Sequence, residues 1–84
     1  MIMTSHYLDL VTAETVKLLQ QKSADATQVT ASTRFLGGDV DMDSLDLATL
    51  IVELEEASGK RPFRAGFRAF FTVGELASLF ENCE

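Results

Sequence analysis

Apolar positions recur with a helical period in three parts of the chain, and polar segments separate them. The strongest pattern runs from Ser44 to about Ser58, an earlier one from about Ser5 to Lys22, and a third follows Thr72. Spacings of three and four place such residues on one side of a helix, which is then expected to be buried. The expected buried residues are Leu8, Val11, Thr15, Leu18 and Leu19 in the first helix, Leu47, Leu50, Ile51 and Leu54 in the second, and Val73, Leu76, Ala77 and Phe80 in the third.

Capping signals indicate where the second helix begins and ends and where the third helix begins. Asp43 is a good N-cap for the second helix, because its carboxylate accepts a hydrogen bond from a first-turn amide. Gly59 and Pro62 follow that helix and are typical of a helix end. Thr72 and Glu75 have the spacing of a capping box at the start of the third helix.

Two segments connect the helices. Residues 23–43 are rich in Ser, Thr, Asp and Gly, and a loop of this length is usually functional or packed down by its own side chains. We expect Val29, Phe35 and Leu36 to attach it to the core. Residues 62–71 are expected to hold a short helical turn. No segment alternates as a strand does. The sequence predicts an all-α fold in a single domain, 1–84, as a small antiparallel bundle of three main helices plus a short helix before the last, with a long first loop.

Composition and charge narrow the class of protein. The chain has 84 residues, 46% of them hydrophobic, and a net charge of −6, which argues against nucleic acid as the main partner. The single cysteine excludes an internal disulfide. No apolar run approaches the roughly 20 residues of a membrane span, and we expect a cytoplasmic monomer.

The charged residues are unevenly distributed along the chain. Seven acidic residues and no basic ones lie between Asp39 and Glu56, whereas four of the seven basic residues lie between Lys60 and Arg68. An acidic segment is therefore followed directly by a basic and aromatic one.

The acidic stretch GGDVDMDSLDL, residues 37–47, allows three interpretations, of which the first is a calcium loop. Asp39, Asp41 and Asp43 match the first three ligand positions of an EF-hand. Ser44 stands where that loop needs glycine, and Leu50 stands where it needs a bidentate glutamate. The sequence therefore argues against an EF-hand, and a calcium sensor is the weakest of the three.

The second interpretation is an acidic helix cap that keeps a small protein soluble, and the third is presentation of Ser44. The second does not explain why the acidic residues continue along the helix as far as Glu56. In the third, a hydroxyl in the first turn of a capped helix is exposed, and a phosphodiester formed there is favoured by the helix dipole. The only histidine, His6, lies in another helix, so another enzyme would have to activate Ser44.

The segment DSLDLATLIVELEEASG, residues 43–59, resembles the modification site and second helix of acyl carrier proteins. The resemblance covers nearly the whole chain: a first amphipathic helix, a long loop ending in FLGG, the Asp-Ser-Leu helix, and a final helix beginning TVGEL. Some features differ from the family pattern. DVDM lengthens the approach to the motif, and Thr49 stands at a position that is often acidic. The segment KRPFRAGFRAFF is more basic and more aromatic. A peptidyl-carrier register would put Val40 at the serine position, which favours Ser44 and the acyl-carrier branch.

The resemblance implies a carrier with no catalytic residues and no metal site of its own. A phosphopantetheinyl transferase would attach 4′-phosphopantetheine from coenzyme A to Ser44, and its thiol would carry acyl groups as thioesters in fatty-acid, polyketide or related specialised biosynthesis. Ligases, synthases and transferases would be the further partners. The expected partner surface is Asp43, Leu45, Asp46, Val52, Glu53, Glu55 and Glu56, and the expected acyl pocket is Leu50, Ile51, Leu54 and Phe67. The alternative is an unmodified helical interaction module with a carrier-like fold.

Overall fold

The computed structural model describes residues 6–24, 29–64, 66 and 68–82, and its regular elements are three helices. They are α1 (His6–Gln21), α2 (Ser44–Ser58) and α3 (Val73–Glu81). Helix α1 packs against both α2 and α3. Within the described ranges the only β-type pairing is an isolated antiparallel bridge between Arg34 and Thr72. The all-α fold class is therefore confirmed, and the three helices form a small bundle.

One hydrophobic core joins the three helices to the connecting segments. Its buried members are Val11, Leu18 and Leu19 from α1, Leu50 and Leu54 from α2, Val73, Leu76, Ala77 and Phe80 from α3, and Phe35, Met42 and Phe70 from the connecting segments. Leu8, Leu47 and Ile51 are half-buried at its edge. Thr15 is buried in α1, where its hydroxyl donates a hydrogen bond to the carbonyl of Val11 at 2.7 Å. That bond offsets the desolvation of a polar atom in the core.

The predicted start and end of α2 and the predicted start of α3 are confirmed. Asp43 caps α2 as one half of a capping box, and Gly59 ends it in a left-handed conformation with φ of 75°. Glycine adopts that conformation without the steric cost that a Cβ would bring. Thr72 and Glu75 form the expected capping box of α3.

The long loop is hydrogen-bonded to the start of α3. The first amides of a helix have no partner within the helix, and here the loop supplies two of the missing acceptors. Val73 donates to the carbonyl of Thr33 at 2.9 Å, and Gly74 donates to the carbonyl of Ala31 at 2.8 Å. The loop therefore belongs to the folded unit.

The side chains of the loop only partly follow the prediction. Phe35 is buried, and its amide donates to the carbonyl of Phe71 at 2.9 Å. Val29 is half-buried against the core. The expectation for Leu36 was wrong, because its side chain is 55% exposed. Phe35 and Leu36 lie in a turn, and there Phe35 occupies the inward position.

The segment between α2 and α3 contains tight turns. The amide of Arg64 donates to the carbonyl of Arg61, and that of Gly66 to the carbonyl of Phe63, both at 3.1 Å. These turns occupy the place of the short helix expected before the last helix. In each of these hydrogen bonds, the donor follows the acceptor by three residues, which is typical of a single turn.

Candidate functional site

Ser44 is the first residue of α2, and its side chain is exposed. Two reciprocal hydrogen bonds brace the turn that contains it. The amide of Asp46 donates to Asp43 Oδ1 at 2.9 Å, and the amide of Asp43 donates to Asp46 Oδ2 at 3.2 Å. A capping box of this kind satisfies two otherwise unpaired amides and fixes the backbone between them. The Ser44 hydroxyl is therefore held at the surface on a well-defined helix start.

Lys22 ties this helix start to the end of α1. Its Nζ donates to Asp46 Oδ2 at 2.5 Å and to the carbonyl of Asp41 at 2.6 Å. The hydrogen bond from Lys22 is the main reason that the pKa of Asp46 lies below its ordinary value. The hydrogen bond to Asp46 likewise raises the pKa of Lys22. Asp46, which the sequence assigned to the partner surface, thus makes contacts inside the protein.

Arg34 and Asp39 close the loop that leads to the site. Arg34 donates to Asp39 through its amide at 3.0 Å and through Nη2 at 3.0 Å. These hydrogen bonds lower the pKa of Asp39. The turn between them needs small residues, because a Cβ on Gly37 would lie 2.9 Å from Arg34 Nε, and Gly38 has a φ of +94°. Two of the four aspartates around Ser44 are therefore in ion pairs.

The aspartates of this stretch do not converge on a common point in the way that a calcium loop requires. Within the part of the chain that the structure describes, no group of three or more acidic, histidine or cysteine side chains is placed to hold a metal ion. A calcium ion is bound by six to eight oxygen ligands. The geometry provides no support for calcium binding by the described residues.

The outer face of α2 combines apolar and acidic side chains. Leu45 is 77% exposed and Val52 is 50% exposed. Glu56 is exposed, whereas Glu53 and Glu55 are half-buried. An open depression of about 390 Å³ lies on this face and is lined by Ala48, Thr49, Val52, Glu53 and Glu56. Of the sequence-predicted partner residues, Val52, Glu53 and Glu56 therefore share this surface. Asp46 and Glu55 are in ion pairs with Lys22 and Arg61.

An apolar groove lies on another side of α2. It has a volume of about 520 Å³ and is lined by Arg34, Phe35, Leu36, Gly37, Leu47, Ala69, Phe70 and Phe71. Leu47 lies three residues after Ser44, so the two side chains lie on the same side of the helix. The groove therefore lies next to the turn that presents Ser44.

The described residues among those predicted to form an acyl pocket do not line this groove. Leu50 and Leu54 are fully buried in the core, Ile51 is half-buried, and Phe67 lies outside the described residues. The groove is formed instead by Leu47 and by the two connecting segments. Its aromatic walls, Phe35 and Phe70, are in edge-to-face contact with ring centroids 5.8 Å apart. This contact joins residues 35 positions apart in the chain, and no local sequence signal indicates it.

Sequence comparison adds no relative from which a function can be transferred. No family model matches the chain, and no curated protein matches it significantly. Among the described residues, no helix is both long enough and apolar enough to cross a membrane. What the site does has to be argued from its geometry and chemistry.

Proposed function

We propose that this protein is a carrier of acyl groups, which it holds as thioesters on a 4′-phosphopantetheine arm attached to Ser44. The observation that supports the proposal most directly is the position of Ser44. Its side chain is exposed at the first residue of α2, on a turn that a capping box and Lys22 both brace. A modifying enzyme needs such an accessible hydroxyl in a fixed place, because a well-oriented nucleophile reacts faster.

Attachment of the arm would be a phosphoryl transfer from coenzyme A. Ser44 Oγ attacks the phosphorus that bears the pantetheine, and a new Oγ–P bond forms. The P–O bond to the nucleotide breaks, adenosine 3′,5′-bisphosphate leaves, and the hydroxyl proton passes to a base of the transferase. Once attached, the group supplies a terminal thiol on which acyl groups are held as thioesters.

The helix start suits the product of this reaction. Ser44 lies where the amides of the first turn and the helix dipole favour a negative charge, so α2 would stabilise the phosphodiester. The fit rests on residues of this chain alone, namely an exposed hydroxyl and the capped turn that contains it.

The outer face of α2 would be the docking surface for partner enzymes. Leu45 and Val52 offer apolar contact, and Glu53 and Glu56 lie beside them. Charge attraction to a basic groove would speed the encounter, while the small apolar area would let the complex separate again. The partners proposed here are a phosphopantetheinyl transferase and acyl-processing ligases, synthases and transferases.

The apolar groove gives the carrier a second surface for its cargo. Leu47, Phe70 and Phe71 line it close to Ser44, and the apolar part of an acyl group would be removed from water there. We place the protein in the cytoplasm as a monomer, serving fatty-acid, polyketide or related specialised biosynthesis.

The proposal is tested by intact-mass measurement after incubation with coenzyme A and a transferase of broad specificity. The expected result is a mass increase of one phosphopantetheinyl group in the wild-type protein and none in Ser44→Ala. Ser78→Ala is the matched control, because Ser78 is also an exposed helical serine, on α3, and it should be modified as the wild type is. An unchanged wild-type mass would refute the carrier function and favour the unmodified interaction module.

A further inference from the structure

Lys22 is surrounded by the acidic residues that flank Ser44. Its Nζ contacts the carboxylate of Asp46, two residues after the serine, and the carbonyl of Asp41, three residues before it. The hydrogen bond to Asp46 raises the pKa of Lys22 most, and the charges of Asp41 and Asp43 raise it further. One ammonium group therefore interacts with acidic residues on both sides of the serine.

A modified Ser44 would add a further negative charge to this group of acids. The phosphodiester is ionised at neutral pH, and Asp43 and Asp46 are one and two positions from the serine to which it would be attached. Like charges at such separations repel, and the repulsion is stronger near a protein surface than in bulk water. The helix dipole offsets part of this repulsion. A positive charge in contact with the same turn would offset more of the repulsion.

We propose that Lys22 is the counter-charge that allows a phosphodiester to be carried on Ser44 among the aspartates, and that it positions the turn for modification. The proposal rests on the carrier function proposed above and adds to its site a residue that directly follows α1. Lys22 acts on the attached phosphate by its charge and on Ser44 through Asp46 and Asp41.

Neither of two other nearby basic residues has the contacts for this role. Arg34 is held by Asp39, five residues on, and its contacts close the loop. Lys17, one turn earlier in α1, lies 3.8 Å from Glu14 and is largely exposed. Lys22 alone, among the cations whose contacts the structure describes, bridges the residues on both sides of Ser44.

The test compares the melting temperatures of the unmodified and modified forms of four variants and the wild type. The variants are Lys22→Gln, Lys22→Met, Lys22→Arg and the control Lys17→Gln, which removes the same charge at a position in α1. A substitution that only weakens the fold lowers the melting temperatures of both forms equally. The difference in melting temperature between the modified and unmodified forms therefore isolates the effect of the substitution on the phosphate.

In Lys22→Gln and Lys22→Met, the modified form should melt a few degrees lower relative to its unmodified form than it does in the wild type. Lys22→Arg should restore the wild-type difference, and Lys17→Gln should keep it. The kcat/KM for modification should fall by up to about fivefold in the two neutral variants, the upper limit expected from one exposed ion pair. Lys22→Met keeps the aliphatic part of the side chain and replaces Lys22→Gln if that variant does not fold.

The inference is overturned if, in Lys22→Gln and Lys22→Met, the modified and unmodified forms differ in melting temperature by the same amount as in the wild type. A wild-type protein that is never modified gives a separate result. It refutes the carrier function itself, and this inference with it.

Discussion

Gly74 shows how a single residue fixes the path of the long loop. It lies in the first turn of α3, and its amide donates to the carbonyl of Ala31 at 2.8 Å. A Cβ built on Gly74 would lie only 3.0 Å from that same carbonyl oxygen. The loop can approach the helix this closely because glycine has no side chain.

We predict that Gly74→Ala destabilises the protein, although alanine is the better helix former. In an open helix the change would stabilise by up to about 1 kcal/mol. Here the clash with the Ala31 carbonyl should outweigh that gain and lower the free energy of unfolding by about 1–2 kcal/mol. Denaturant titration measures the effect. Ser78→Ala, at an exposed position of the same helix, should be neutral or slightly stabilising. A stabilised Gly74→Ala would show that the loop does not pack against α3 as described.

The residues that the sequence predicted well are those whose partners lie nearby in the chain. Thr72 and Glu75 form the predicted capping box at a spacing of three, and Asp43 is the predicted N-cap of α2. The contact between Lys22 and Asp46 spans 24 positions. From the sequence, Lys22 could be placed only near the end of a helix, because nothing local specifies where the next helix will lie.

At the scale of elements, α2 has one face buried in the core and another exposed at the surface. Leu54 is fully buried in the core, whereas Leu45, nine residues earlier, is 77% exposed. The sequence predicted the extent of α2, Ser44–Ser58, because a helix with a strong cap at each end is defined locally. It did not predict the groove, which depends on how residues 34–37 and 69–71 meet.

Truncating one leucine on each face of α2 should separate stability from function. Leu54→Ala removes a fully buried side chain and should cost about 2–5 kcal/mol of unfolding free energy. Leu45→Ala should change it by less than about 0.5 kcal/mol. If the exposed face docks partners, Leu45→Ala should raise the KM of the transferase reaction. Unfolding titrations and modification kinetics on both variants make the comparison. A large loss of stability in Leu45→Ala, or unchanged kinetics, would contradict this division of the helix.

On the scale of the whole molecule, net charge and ion pairs have opposite effects on stability as pH falls. The chain carries a net charge of −6 at pH 7 and has a pI near 4.6. Acidification from neutral pH reduces the net charge and hence the self-repulsion of the folded state. The ion pairs Arg34–Asp39 and Lys22–Asp46 have the opposite effect, because their contribution to stability is lost at low pH. Arg34 and Lys22 hold the pKa values of Asp39 and Asp46 below the ordinary value.

We therefore predict that the melting temperature passes through a maximum at about pH 5 and falls steeply below about pH 4. A carboxylate with a lowered pKa in the folded state contributes stability above its unfolded pKa, near 3.8 for aspartate. That contribution is lost as pH falls through the lower, folded value, because the unfolded state then binds more protons than the folded state. Thermal unfolding followed by circular dichroism from about pH 2.5 to about pH 8, which spans the ordinary pKa of aspartate, measures the curve.

The variant Asp39→Asn shows how much of the fall in melting temperature at low pH is due to the Arg34–Asp39 ion pair. The variant loses the charged acceptor for Arg34, so at neutral pH it should melt below the wild type. As pH falls below the ordinary pKa of aspartate and through the lowered folded pKa of Asp39, the wild-type carboxylate is itself protonated, and the two curves should converge. Asp41→Asn removes the same charge from the same loop, but Lys22 contacts the Asp41 carbonyl oxygen, which this substitution leaves in place. The Asp41 carboxylate acts on Lys22 through its charge and not through a direct hydrogen bond, so this variant should lie closer to the wild type than Asp39→Asn does. Parallel curves for Asp39→Asn and the wild type down to pH 2.5, about one unit below the ordinary pKa of aspartate, would mean that the Arg34–Asp39 pair does not stabilise the fold.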